Sequence, residues 1–226
     1  MVSERNSAMS AVLADAFDDV EIVSNQDVVD SRDIVWLCLM ASVAEDVLAG
    51  LRFWDGQAIL SAMVYVPHGA LQQLCVSATD ISMTIPMPFI ALVGCPLPVY
   101  SASAALEEIF GARNIVIPVE SERALNAYFG GLAQVAAGLA QMREGAVWLG
   151  EQTGDPVAAE AYIAAKFAGS LAQMPKDEQG QFDRAINALN TQGGLNTAVR
   201  THLRDTGALR ELRVALDGLK VRLGLN

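Results

Sequence analysis

The sequence has 226 residues, of which 52% are apolar, and its mean hydropathy is +0.31. Only 18% of the residues are charged, against roughly 25% in an average soluble protein, so intrinsic disorder is excluded for most of the chain. The net charge of −11 repels a polyanion, which argues against nucleic acid as a partner. The length fits one large domain or two modest ones.

The cysteines and histidines limit the possible chemistry. Cys38, Cys75 and Cys95 lie in apolar runs without a CxxC pair, which predicts buried free thiols in a reducing compartment. His68 and His202 are far apart in the sequence, so no metal site is expected. The polar first residues do not form a signal peptide. These features together predict a cytoplasmic protein.

In the first half of the chain, short β-branched runs alternate with helical patterns. Strands are predicted at residues 20–23, 34–39, 58–64, 81–85 and 114–119. The run 34–39 is apolar without alternation, which is typical of a parallel strand buried on both faces. Prolines interrupt residues 85–89 and 94–98, so both segments are predicted to be extended connectors. Strands alternating with helices predict a parallel sheet over residues 1–119.

From residue 120 onwards the pattern is helical throughout. A long helix is predicted from Ser121, and its glycines at 130, 131 and 138 predict a close helix–helix crossing. Its stretch between Arg123 and Arg143 has no charge, but polar residues and glycines there favour burial in protein over a membrane span. We therefore predict an α/β fold, with a partial Rossmann-type parallel sheet domain (1–119) followed by an all-α dimerisation domain (120–226).

Motifs with known chemistry are mostly absent from the sequence. It contains no Walker loop, nucleophile elbow, HExxH or GxGxxG turn,. The opening Val2-Ser3-Glu4-Arg5-Asn6 fits the end of a second Rossmann strand, where ribose and any 2′-phosphate are read. Ser3 would supply a hydroxyl and Arg5 a guanidinium fork. The same residues also fit a simple helix cap with solvated charges.

Several segments together resemble the pyrroline-5-carboxylate reductase family. They are residues 2–6, 24–29, 33–39, 192–194 and 205–210. The resemblance covers nearly the whole chain in order and spacing, except for the family's N-terminal strand and glycine-rich nucleotide loop. It implies a Rossmann domain, and a helical domain that interlocks with a second copy in a homodimer. It also implies reduction of a cyclic imine to proline by NADPH or NADH.

The resemblance also implies roles for individual residues. The contacts to NADP or NAD would fall on Ser3, Arg5, Asn25, Cys38, Leu39 and Met40. The substrate contacts would fall on Pro86 and on the loop residues Gly193, Gly194 and Leu195. Thr191 and Asn196 would orient the substrate. The backbone N–H groups of Gly193 and Gly194, at the start of a helix, would hold a substrate carboxylate.

The sequence departs from the family pattern at several positions. Met40-Ala41 stands where the family has Lys-Pro, and Gln192 and Asn196 stand where it has Pro and Thr. Without a GxGxxG turn, a pyrophosphate has no main-chain cradle of the usual kind. Two alternatives stay open: a non-catalytic or truncated dimeric homologue that has lost cofactor binding, and a helical module whose acidic surface binds a protein partner.

Overall fold

The computed structural model describes residues 1–92, 94–175 and 179–226, and the chain forms two compact units. The first comprises Met1–Phe129 with Leu223–Leu225, and the second comprises Gly130–Arg222 with Asn226. The boundary between the two units lies within the helix Glu122–Leu132. This position is later in the chain than the boundary predicted between residues 119 and 120. Each unit is described separately below.

The first unit alternates strands with short helices. The strands are β1 (Val2–Ser3), β2 (Ile22–Val23), β3 (Ile34–Leu37), β4 (Ala58–Ser61), β5 (Asp80–Thr84), β6 (Pro96–Tyr100) and β7 (Ile115–Val119). The helices are α1 (Ser7–Ala16), α2 (Asn25–Ser31), α3 (Ala41–Leu48), α4 (His68–Leu74), α5 (Ala104–Leu106) and α6 (Glu122–Leu132). Single turns of 3-10 helix lie at Glu4–Asn6 and Pro88–Ala91, and a π-helical turn at Glu107–Gly111 continues α5.

The strands of this unit form two sheets. β1 pairs with β2 in a parallel two-stranded sheet, and the other strands form a sheet in the order β3-β4-β5-β6-β7. All pairs are parallel except β5 with β6. The predicted fold class, a Rossmann-type sheet that is mainly parallel followed by helices, is therefore confirmed. The antiparallel pairing of β5 with β6 was not predicted from the sequence.

The core of the first unit lies on β4 and β6. All four residues of β4 are buried, as expected for a strand with both faces covered. One cluster consists of Leu60, Cys95, Leu97, Val99 and Leu106, all without exposed surface. Full burial of each Leu or Val contributes about 1.5–3 kcal/mol to stability, so this cluster stabilises the five-stranded sheet.

The prediction of a connector at residues 94–98 is wrong, because Pro96–Tyr100 forms the interior strand β6. The carbonyl of Cys95 accepts a hydrogen bond from Ile115 of β7 at 2.9 Å. Since peptide groups alternate sides along a strand, Pro96 and Pro98 turn their nitrogens toward β5. The ladder with β5 has only two residue pairs, both at the end of β6 beyond the prolines, so the missing N–H groups interrupt no ladder bond.

The second unit is helical. Its helices are α7 (Gln134–Thr153), α8 (Pro156–Ala172), α9 (Gln181–Ala188), α10 (Leu195–Asp205) and α11 (Ala208–Asp217). α7 packs against α8 across a tight turn, in which Gly154 has a φ of 74°. Asp155 then caps α8 by accepting the N–H of Ala158 at 3.0 Å, ahead of Pro156 at the first helical position,.

Three sequence predictions need correction here. The long helix from Ser121 is two helices, α6 and α7, separated at Ala133. A Cβ built at Gly131 or Gly138 would meet no described atom within 4 Å beyond its sequence neighbours and the nearby backbone of its own helix, so these glycines make no close helix crossing within the described chain. Cys75 and Cys95 are buried as predicted, but Cys38 is exposed because it lies just beyond the end of β3.

Candidate functional site

Three of the predicted cofactor residues meet where β1 ends. β1 lies parallel to β2 with Ser3 opposite Val23, which brings the start of α2 next to Ser3. Ser3 Oγ donates to Asn25 Oδ1 at 2.5 Å and accepts the backbone N–H of Arg5 at 3.1 Å. Ser24 caps α2 by accepting the N–H of Asp27, which leaves the Asn25 amide available to Ser3.

The charge of this cluster is carried by Arg5. Its side chain is exposed, and within the described residues its guanidinium has no hydrogen-bond or ion-pair partner. Ser3 also caps the 3-10 turn Glu4–Asn6, as the alternative interpretation of these residues predicts. A hydroxyl and an amide therefore meet at the end of β1, two residues before an exposed arginine whose guanidinium has no partner among the described residues.

A second group of predicted residues lies at the carboxyl edge of the larger sheet. The register pairs Leu37 with Ser61 and Ser61 with Met83, so the segments after β3, β4 and β5 leave the sheet at one edge. Cys38, Leu39 and Met40 follow β3, and Pro86 follows β5. Ligands of α/β proteins bind outside the carboxyl ends of parallel strands. The Met40 side chain is 70% exposed there and offers an apolar contact surface.

Cys38 at this edge is not an activated nucleophile. Desolvation raises the pKa of its thiol above the ordinary value, and a hydrogen bond with Trp36 offsets this only in part. A thiol with a raised pKa stays protonated at neutral pH, whereas nucleophilic attack needs the thiolate. The Cys38 thiol is therefore not activated for covalent chemistry,.

The sequence reasoning missed Tyr65 in the loop between β4 and α4. Its φ is 70°, in the left-handed region that a bulky residue rarely adopts. The side chain is 51% exposed at the carboxyl edge of β4. Such strain costs about 1–3 kcal/mol and is concentrated at functional sites. No sequence pattern indicates it, because φ depends on how the loop closes.

The predicted substrate loop lies in the second unit, between α9 and α10. Gly193 has a φ of 72°, in the left-handed region that favours glycine, and a Cβ at Gly194 would lie 3.0 Å from the Thr191 carbonyl oxygen and crowd the turn,. The N–H of Gly194 donates to that same oxygen at 2.9 Å. This N–H is therefore not available for a carboxylate, contrary to the sequence prediction. Leu195 is 87% exposed.

A cavity of about 170 Å³ opens beside this loop. Its lining residues are Ile186, Leu189, Asn190, Asn196 and Arg200. Of the two residues expected to orient substrate, Asn196 lines the cavity and Thr191 does not. Arg200 was missed by the sequence reasoning, although it stands one helical turn after Asn196.

Within the described ranges, no group of three or more His, Cys, Asp or Glu side chains is arranged to hold a metal ion. No helix of these ranges has both the length and the apolarity needed to cross a membrane.

Comparison with known proteins supports the assignment of the fold. Residues 1–65 match the family model described as NADP oxidoreductase coenzyme F420-dependent. No curated protein matches the sequence at a significant level. Solved structures, by contrast, resemble it over most of its length.

Three of these structures are pyrroline carboxylate reductases. The 1-pyrroline-5-carboxylate reductase of Streptococcus pyogenes is 17% identical with a TM-score of 0.77, over 97% of this chain and 85% of that one. The Plasmodium falciparum pyrroline carboxylate reductase with NADP bound is 13% identical with a TM-score of 0.73, over 90% and 81%. The Coxiella burnetii pyrroline-5-carboxylate reductase is 19% identical with a TM-score of 0.69, over 93% and 83%.

The chain thus has the two-part architecture of a Rossmann-type sheet followed by a helical region. More particularly, it has the fold of the pyrroline-5-carboxylate reductases, as the sequence resemblance predicts. At these identities the likeness establishes the fold, and the activity must be argued from the chain's own residues.

Proposed function

We propose that the chain is an NADPH- or NADH-dependent reductase of the pyrroline-5-carboxylate reductase type, which reduces the C=N bond of a small cyclic imine. The observation that carries this proposal is the Ser3–Asn25–Arg5 cluster at the end of β1. The fold and the family match over residues 1–65 support it. The reductase from Plasmodium falciparum is described with NADP bound, which supports the choice of cofactor.

The residues of the first unit fit one end of such a cofactor. Arg5 would pair with a 2′-phosphate and the Asn25 NH₂ group would donate to the same phosphate, while Ser3 Oγ, whose hydrogen is donated to Asn25 Oδ1, would accept from a ribose hydroxyl. Cys38, Leu39, Met40 and Pro86 would line the surface along the carboxyl edge of the sheet. A bound nicotinamide cofactor supplies a hydride from its C4 position.

The residues of the second unit would act on the substrate. Asn196 would orient it by hydrogen bonds and Thr191 through its hydroxyl. The loop Gly193–Leu195 would shape the site. A protonated imine that accepts a hydride at carbon becomes an amine without a further proton, so no side chain must act as a general acid. Orientation is then the main contribution of the protein.

The helical unit would join two copies into a homodimer. Large apolar side chains are exposed on it: Leu139, Trp148, Tyr162, Phe167 and Val199. Where such side chains form one contiguous patch, the patch typically marks an interface. In Gly131→Leu, the new side chain has room within the described chain, so a loss of dimer mass in light scattering would identify this position as an interface. An unchanged dimer mass would reject that placement.

The function is tested by titrating the full chain with NADPH and NADH, then adding pyrroline-5-carboxylate and following oxidation of the cofactor. We expect saturable NADPH binding and turnover. The competing function is a homologue that has lost cofactor binding. If neither cofactor binds at millimolar concentration, the competing function is correct and catalysis by this chain is excluded.

A further inference from the structure

Tyr65 belongs to the segment that leaves the middle of the carboxyl edge of the larger sheet. β4 lies between β3 and β5, and Tyr65 lies in the turn between β4 and α4. The segments that leave the sheet on either side of it contain Met40, after β3, and Pro86, after β5. A ligand bound outside the carboxyl ends of these strands would therefore lie beside this turn.

The neighbours of Tyr65 hold its backbone in the left-handed region. Met63 and Val66 are only 2% and 6% exposed, so a buried side chain fixes the chain on each side of the turn. The N–H of Met63 donates to Ser61 Oγ at 3.3 Å, and the Pro67 carbonyl accepts two N–H groups of α4 at 3.0 and 3.1 Å. Between these fixed points Tyr65 takes its φ of 70°.

The turn alone does not account for a tyrosine at this position. Glycine takes a positive φ without steric cost, whereas the Cβ of any other residue is strained there. The Tyr65 side chain is 51% exposed, so burial of the ring offsets that strain only in part. Strained residues of this kind are concentrated at ligand sites, where the surrounding structure maintains them. The exposed part of the Tyr65 ring is therefore a contact surface for a ligand.

We infer that the aromatic ring of Tyr65 packs against the nicotinamide ring of the bound cofactor and favours its oxidised form. This inference rests on the proposed function, which supplies the identity of the ligand. Aromatic rings attract each other when they stack with an offset or meet edge to face. The oxidised nicotinamide ring is a cation and the reduced ring is neutral, and the face of a tyrosine attracts a cation. Tyr65 therefore contributes more to the binding of NADP⁺ than to that of NADPH.

The test compares both cofactors with a fragment that lacks the nicotinamide. NADP⁺, NADPH and 2′,5′-ADP are titrated by calorimetry into the full chain and its variants. We expect Tyr65→Leu to weaken NADPH binding about 2- to 10-fold and NADP⁺ binding about 2- to 5-fold more than that. Binding of 2′,5′-ADP, which reports on the Arg5 end alone, should not change. Tyr65→Phe keeps the ring and should bind all three ligands as the wild type does.

Two further variants separate the ring from the backbone strain. Tyr65→Gly relieves the strain, so it should unfold at a higher temperature than Tyr65→Ala. If the ring makes the contact, Tyr65→Gly should nevertheless bind NADP⁺ as weakly as Tyr65→Leu. Phe17→Leu is the matched control, since Phe17 is an aromatic residue that is 60% exposed and follows the end of α1. It should bind all three ligands as the wild type does.

Four outcomes overturn the inference while the proposed function stands, because the wild type still binds cofactor in each. They are unchanged NADP⁺ affinity in Tyr65→Leu, an equal loss for 2′,5′-ADP, full affinity in Tyr65→Gly, and an equal loss in Tyr65→Phe, which would assign the effect to the hydroxyl. If the wild type binds neither NADP⁺ nor NADPH at millimolar concentration, the proposed function fails and this inference fails with it.

Discussion

Removing the charge of Arg5 tests the cofactor end of the site. In Arg5→Met, the Ser3–Asn25 hydrogen bond stays intact, since Ser3 contacts only the backbone N–H of Arg5. The guanidinium makes no hydrogen bond or ion pair within the described residues, so its loss should leave the fold unchanged. Any change in affinity then reports on the ligand.

The magnitude follows from the exposure of the site. Two unit charges about 4 Å apart in water interact by about 1 kcal/mol, and a phosphate monoester carries about −1.5 to −2 charges at pH 7. Because Arg5 is exposed, we take the value for water and expect a loss of about 1.5–2 kcal/mol. That corresponds to an approximately 10- to 30-fold weaker Kd for NADPH.

The assay is a fluorescence titration of NADPH and NADH against the wild type and the variants. NADH has no 2′-phosphate, so its affinity should not change in Arg5→Met. Arg5→Lys should retain most of the NADPH affinity, and the difference between wild type and Arg5→Met should shrink at 1 M salt, where the Debye length is about 3 Å. Arg32→Met, an exposed arginine at the other end of α2, is the control. Equal losses for both cofactors, or no loss for NADPH, would refute the assignment of Arg5.

Three further predictions concern stability, each measured by urea unfolding. Tyr65→Gly should have a free energy of unfolding about 1 kcal/mol higher than Tyr65→Ala, because both variants lose the side chain beyond Cβ and only glycine relieves the left-handed strain at this position,; equal values would contradict the strain. Gly193→Ala should lower the free energy of unfolding by about 1 kcal/mol, because the φ of 72° at this position lies in the left-handed region,. An unchanged free energy of unfolding would contradict this expectation. Burial raises the pKa of the Cys75 thiol from 9.0 to about 11, so the neutral thiol stabilises the fold below pH 9, and this contribution should be lost as the pH rises toward 11. Cys75→Ala should not show this fall in the free energy of unfolding between pH 9 and pH 11. If the free energy of unfolding of Cys75→Ala falls with pH as that of the wild type does, the expectation is wrong.

The sequence predicts those parts of the fold in which local pattern and burial agree. The apolar run at Ile34–Leu37 is β3, and the run that contains Ala58–Ser61 is β4, because a strand covered on both faces must be apolar. β6 was missed because proline normally excludes an interior strand, and only the short β5–β6 ladder makes its prolines tolerable. Cys38 was misjudged because an apolar run does not show where the sheet ends.

The candidate site was predictable to a similar extent. Ser3, Arg5 and Asn25 were indicated by residue type and order, and the parallel pairing of β1 and β2 brings them together. Arg200 has no motif around it, and only the approach of α9 and α10 gives it a cavity. Tyr65 is exceptional only in its backbone angle, which depends on tertiary closure of the loop. Features that arise from tertiary geometry were therefore the ones the sequence did not reveal.

Transfer of an isotope label tests the central claim most directly. The full chain is incubated with pyrroline-5-carboxylate and NADPH that carries one deuterium at C4 of the nicotinamide. The two C4 epimers are used in separate incubations, because only one of them carries deuterium on the face from which hydride leaves. Mass spectrometry of the product then follows the label. We predict proline that carries one deuterium with one of the two epimers, at a rate that depends on Arg5. Unlabelled substrate and undiminished NADPH with both epimers would contradict the account.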